Sequence, residues 1–137
     1  MIKTNELMLG NWVYAGDKTQ FPMQVVGVFD DVAYLDFEGN ESDMWEEEEE
    51  DMFPVPLTEE ILLKNGFINM SDYYKDKEGN IFVRLGDDIT TSIRVECLDR
   101  EPNKPTCSKV SAFNKTKYLH ELQNLLTLAG IEMEFKI

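Results

Sequence analysis

Residues 54–67 read PVPLTEEILLKNGF, and the parsing of this stretch decides how the chain divides. Pro54 and Pro56 lack an amide donor and restrict the residues before them, so the segment neither continues a ladder on both sides nor starts a helix early. It marks a boundary. Thr58 then offers a side-chain oxygen as N-cap, Glu59 and Glu60 fall in the first turn where the helix dipole favours anions, and Leu57 can staple onto Leu62. Gly66 supplies the left-handed position that ends a helix. The pattern predicts a short helix within LTEEILLKNG, a junction at 54–57, and separate modules at 1–53 and 58–137.

Upstream of the junction, NWVYA ends at Gly16-Asp17, MQVVGVF at Asp30-Asp31, and VAYLDF at Glu38-Gly39-Asn40. Each run is short, partly alternating and rich in Val, Tyr, Phe and Trp, which argues antiparallel strands joined by tight turns. So few residues cannot bury one face of a flat sheet, and the economical solution is a small, strongly curved barrel of SH3-like type with Trp12 in its core.

Downstream, DYYKD, IFVRL and ITTSIRVECL are separated by Glu78-Gly79-Asn80 and Gly86-Asp87-Asp88, residues that hairpin connections favour. Residues 99–112 read as a loop with one short strand near Val110. In NKTKYLHELQNLLTLAG, Tyr118, Leu119, Leu122, Leu125, Leu126 and Ala129 form one stripe at steps of three and four, and Gly130 closes the helix. IEMEFKI alternates and reads as a half-buried strand. The second module is therefore α-β-β-β-α-β, two helices on an antiparallel sheet, and the chain as a whole is α+β.

Charge divides the same way. Residues 1–57 hold 14 acids against Lys3 and Lys18, a balance of −12, whereas the remaining 13 acids face 11 bases. Between Lys18 and Lys64 there is no positive side chain. Such a surface repels phosphate backbones, so direct nucleic-acid binding and anionic membranes are both disfavoured. No run approaches the roughly 18 apolar residues that span a bilayer, and the amino terminus lacks a basic segment followed by an apolar core, so a cytoplasmic protein is expected. Cys97 and Cys107, ten positions apart without a CxxC motif, indicate neither a zinc site nor a disulfide framework.

The segments PVPLTEEILLKNGF and KYLHELQNLLTLAGIEM, with GNWV near the start, resemble a group of small uncharacterised proteins from gut anaerobic bacteria and their phages and mobile elements. Members pair an IPLTEEILLKxGF-like segment with a HxLQNLYFxLTGxEL-like terminal helix. Leu57 to Phe67 match closely, as do His120, Leu122, Gln123, Asn124 and Leu125. The chain departs where Leu126 to Ala129 replace the aromatic and threonine of YFxLTG, while Gly130 and Glu132 are kept. The resemblance implies a bacterial or phage origin and the two-module layout. It carries no activity and no functional residue.

Chemistry-bearing patterns are sparse. His120 is the only histidine and lies nearly opposite the leucine stripe, beside Gln123, Asn124 and Thr127, where a solvated or locally hydrogen-bonded role is expected. That polar set is also placed to line a contact with a partner or with the first module. DFEGNESDMWEE puts Asp36, Glu38, Asn40 and Glu47 at calcium-loop positions, but the required glycine is Glu41 and Gly39 is misplaced, so specific calcium binding is not expected. The eight acids between Glu41 and Asp51 suggest a solvated stretch, and a catalytic carboxylate pair needs one desolvated member. No P-loop, dinucleotide fingerprint or nucleophile elbow is present, so neither an enzyme nor a cofactor is expected.

The reading is a non-enzymatic binding or adaptor protein whose partner is a protein with a basic surface, steered by the first module's charge. The contact residues expected are Trp45, a large aromatic set among charges, with Glu46, Glu47, Glu48, Glu49, Glu50 and Asp51, and on the last helix His120, Gln123 and Asn124. The rival is an acidic nucleic-acid mimic that blocks a DNA-binding protein, and a small metal-dependent hydrolase ranks third.

Overall fold

The computed structural model describes residues 1–16, 21–86, 89–95 and 110–137, with the backbone alone over 90–95 and 110–114. Among the described residues the fold is α+β, with two five-stranded antiparallel sheets and two α-helices. The chain separates into two compact units, Met1–Pro56 with Tyr118–Asn124, and Leu57–Lys117 with Leu125–Ile137. Among the described residues, no helix is long and apolar enough to cross a membrane.

In the first unit, strands β1 (Trp12–Ala15), β2 (Phe21–Phe29), β3 (Val32–Asp36), β4 (Trp45–Glu48) and β5 (Met52–Pro54) lie in the order β4-β3-β2-β1-β5. Alternation sends Val13, Ala15, Met23, Val25, Ala33 and Leu35 into one core with Ile2, Leu7 and Met52. A two-residue turn joins β2 to β3, with Asp30 at φ +43°, and the β2–β3 register shifts between Val25 and Gly27. That shift is a bulge, which bends and twists a strand.

One expectation is not confirmed here and another is corrected. Among the described residues no closed barrel is found, so the SH3-like barrel is not confirmed: β4 and β5 stand at the two ends of the strand order. The β5 edge is only three residues long, ends in a proline, and is engaged by the Ile2 N–H, which donates to the Met52 carbonyl at 3.1 Å. Trp12 is half-buried, and it is its neighbour Val13 that is fully buried in the core.

In the second unit, α1 (Glu59–Lys64) is capped as its sequence dictates. The Thr58 hydroxyl oxygen accepts from the Ile61 N–H at 3.4 Å. At the other end Gly66 has φ +84°, the Gly66 N–H donates to Leu63 O at 3.2 Å and the Phe67 N–H to Leu62 O at 3.0 Å. Those paired bonds are the Schellman arrangement, which satisfies carbonyls left over at a helix end. Strands β6 (Ile68–Asn69), β7 (Tyr74–Lys75), β8 (Ile81–Arg84), β9 (Thr90–Val95) and β10 (Val110–Lys115) form the order β10-β9-β8-β7-β6. The strand expected near Val110 is β10, and it takes in Asn114 and Lys115, which periodicity had placed in the last helix. That helix, α2, spans Leu119–Leu128 and supplies residues to both units.

Residues 131–137 form no ladder, contrary to the strand expected there. The alternation is nevertheless real, with Phe135 buried and Glu132, Glu134 and Lys136 exposed. A side chain replaces the missing strand partner: the Asn65 amide donates to Lys136 O at 2.8 Å and accepts from the Lys136 N–H at 2.7 Å. Phe135 stacks on Phe67 with centroids 6.5 Å apart. Cys97, Cys107, Asp17, Asp87, Asp88 and the loop over 99–109 lie outside the described residues.

Candidate functional site

The two groups of residues singled out in the sequence both fall in the first unit. The acidic run is built on β4. Its register with β3 places Trp45 opposite Leu35, Glu46 opposite Tyr34, Glu47 opposite Ala33 and Glu48 opposite Val32. Period-two alternation therefore turns Trp45 and Glu47 to the side of Ala33 and Leu35, and Glu46 and Glu48 to the other face. Glu47 is buried, and Trp45 donates its indole N–H to the Glu47 carboxylate. Trp45 sits at the strand end and remains 51% exposed.

After β4 the chain makes a 3-10 turn over Glu49–Asp51. Glu49 is tied down by the N-terminal segment. Its Oε1 accepts from the Thr4 N–H at 2.8 Å and lies 2.9 Å from the Thr4 hydroxyl, while Lys3 Nζ is 3.3 Å from Oε2. The Thr4 backbone bond, then the Thr4 hydroxyl, hold the Glu49 carboxyl below the ordinary carboxylate range, and Lys3 adds to them. Glu46, Glu48, Glu50 and Asp51 are exposed. The run is thus not one row of carboxylates, because Glu47 is turned inward and Glu49 is engaged with Thr4 and Lys3.

The α2 group has a different setting. Glu121 Oε2 accepts the N–H of Tyr118, just ahead of the helix, at 3.1 Å, one half of a capping box. Gln123 accepts from the Trp12 N–H at 2.9 Å and donates to Gly10 O at 3.0 Å. Asn124 accepts from the Asn11 amide at 2.9 Å and donates to Glu6 O at 2.7 Å. Two amide side chains therefore satisfy backbone groups that β1 and its approach leave open. The recipients Asn11, Gly10 and Glu6 carry no local signal of this role, although Asn11 is itself buried.

His120 departs from the expected solvated position: it is 2% exposed. Leu119 and Leu122 are also buried, so this part of the helix is enclosed on more than its leucine stripe. The imidazole stacks on Tyr118 with centroids 6.0 Å apart. Neither ring nitrogen has a hydrogen-bond partner among the described residues, and Glu6 Oε2 lies 3.8 Å from Nε2, too far to accept a proton. Burial lowers the His120 pKa, and the carboxylates of Glu121 and Glu6 oppose it only in part. The ring is therefore neutral near pH 7, and the proximity of Glu6 is not an ion pair.

The carboxylates compared with a calcium loop are committed locally. Asp36 accepts from the Phe37 N–H and from the Asn40 amide, both at 2.8 Å, and Asn40 in turn accepts from the Ser42 N–H at 3.0 Å. Among the described residues, no group of three or more His, Cys, Asp or Glu side chains is arranged to hold a metal ion. In the second unit an open depression lies beside Asn65, Asp76, Lys77 and Glu132, and no paired nucleophile and base line it. What the first unit offers is an exposed acidic strand carrying one exposed indole. Comparison of the chain with protein-family models, with curated proteins and with solved structures finds no match.

Proposed function

We propose that this protein is a non-enzymatic adaptor of a phage or mobile element, acting in the cytoplasm, that binds a protein with a basic surface through its first unit. The observation that carries the reading is Trp45, 51% exposed on an edge strand whose neighbours Glu46 and Glu48 point outward, in a stretch without a single cation from Thr19 to Leu63. A large exposed aromatic on a strand that also carries exposed charge is a common energetic anchor, and one-signed charge steers an oppositely charged partner. We read the first unit as an open relative of an SH3-like barrel, a reading supported by the return of β5 beside β1. The resemblance of the junction helix and α2 to small proteins of phages and mobile elements supports the origin.

Mimicry of nucleic acid is less well supported, since it requires carboxylates in one long row and Glu47 and Glu49 are withdrawn from any such row. The test places a photo-crosslinking residue at Trp45 in the full chain and, as control, at Leu128, which is 75% exposed in the second unit. The expected result is a basic protein captured from position 45 and not from 128, with capture lost at high salt, where the Debye length shrinks to about 3 Å at 1 M. Equal capture from both positions refutes the adaptor reading. Capture that duplex DNA abolishes supports the mimic.

A further inference from the structure

We propose that β4 is a docking edge for a basic, extended peptide segment, which adds to the first sheet as a sixth strand; this deepens the adaptor reading and rests on it. The pairing register fixes the geometry. Glu49 N–H donates to Asp31 O at 3.3 Å, and residues 31 and 49 continue the register that pairs Val32 with Glu48. Hydrogen-bonded and non-bonded pairs alternate in an antiparallel ladder, so Ala33–Glu47 and Leu35–Trp45 exchange bonds while Val32–Glu48 and Tyr34–Glu46 do not. The N–H and C=O of Glu46 and Glu48 therefore point away from β3, to the open edge. Among the described residues no backbone group bonds to them there.

The opposite edge differs. β5 ends in Pro54 and its Met52 carbonyl is taken by Ile2, so it offers no comparable row. Charge then selects the occupant of β4. Residues facing each other across a ladder share a face, so a strand paired at Glu46 and Glu48 places two of its own side chains, two positions apart, against those carboxylates. A second copy of β4 brings glutamate against glutamate and is repelled, as charged edges commonly are. Lysine or arginine at alternate positions is attracted, and the residue between them lies on the face of Trp45, where an apolar side chain covers the indole. The recognised segment is thus basic–apolar–basic in extended form, the strand-addition mode in which backbone bonds give affinity and alternate side chains give specificity.

The probe is a capped hexapeptide of alternating lysine and valine, titrated calorimetrically into the full chain. Methylating its lysine amides removes the donors that face β4, whereas methylating its valine amides affects only the far edge. The first change is expected to weaken binding about tenfold or more and the second by less than about threefold, since only the first removes donors that bond β4. On the protein side, Glu48 has φ −81° and ψ 158°, a conformation proline adopts, and its outward N–H takes no part in the β3 ladder. Glu48→Pro should therefore bind the peptide about fivefold more weakly than Glu48→Gln, which removes the charge alone.

Equal binding of the two methylated peptides, or no binding of the parent peptide, overturns the strand-addition proposal whether or not Glu48→Pro folds. If the peptides fail while position 45 still captures a basic protein, the adaptor reading stands and only the docking mode falls. If both fail, the adaptor reading falls with it.

Discussion

Replacing His120 by leucine should stabilise the first unit, and the gain should grow as the pH falls. A neutral imidazole carries one donor and one acceptor, and both ring nitrogens are buried here without a partner among the described residues. Each such group costs about 1–3 kcal/mol. Leucine removes both, at the expense of the stacking on Tyr118, worth about 0.5–1.5 kcal/mol. A net gain of roughly 0.5–5.5 kcal/mol follows, or a rise in Tm of several degrees or more at about 2–8 °C per kcal/mol. The pH dependence has a definite sign. The folded pKa of His120 lies below its ordinary value of 6.5, so the unfolded chain takes up the proton first. Wild-type stability is complete above about pH 6.5 and falls as the pH drops toward the folded pKa, a loss the leucine variant does not share. Both tryptophans, Trp12 and Trp45, belong to the first unit, so urea denaturation followed by their fluorescence at pH 8 and pH 5.5 reads this effect directly. A variant less stable than wild type at pH 8, or a difference that does not change between the two pH values, refutes the reasoning: His120 would then be hydrogen-bonded or charged in the folded protein.

Three further outcomes are expected. Leu62→Ala truncates a fully buried side chain at the centre of the capped helix and should cost about 2–5 kcal/mol in the second unit, read by urea unfolding monitored by far-UV circular dichroism. Asn65→Ala removes the amide that bonds Lys136 on both its N–H and its carbonyl. Faster hydrogen exchange at the Lys136 amide, with α1 otherwise intact, is the expected reading, and unchanged exchange refutes the clamp. Glu49 is held below its ordinary pKa by Thr4, so its contribution to stability is present above about pH 4.5 and is lost as the pH falls through the folded value. Glu49→Gln should flatten that acid limb of the stability profile, and an unchanged limb shows that other carboxylates produce it.

How much of this was legible depended on whether the governing contact is local. Helix α1 could be read to its ends because its cap, its first-turn acids and Gly66 lie within nine positions of one another and need nothing from elsewhere. Strands β1 to β3 announced themselves by alternation, and their buried residues are those that alternation selects. What covers the outer side of β5 was not legible, because Ile2, whose N–H donates to the Met52 carbonyl, is far from it in sequence. The terminal IEMEFKI pattern shows the same division: alternation foretold which side chains are buried, and nothing local shows that Asn65 stands in for a strand. In the candidate site, the exposure of Trp45 follows from an indole set among carboxylates. The inward turn of Glu47 depends on register with β3, and the capture of Glu49 on Thr4, 45 positions away. His120 was misplaced because periodicity finds the apolar stripe of a helix but is silent on whether the opposite side is also covered.

The amides of Gln123 and Asn124 bond to groups at Glu6, Gly10, Asn11 and Trp12, more than a hundred positions earlier in the chain. During synthesis the amino-terminal strands leave the ribosome first, yet the piece that completes their unit is translated only after the whole second sheet. A nascent chain that stalls before residue 118 carries an unfinished first unit, whose open backbone groups leave it exposed to proteolysis. Translation through α2 is thereby made a condition for the stability of the strands at the opposite end of the sequence.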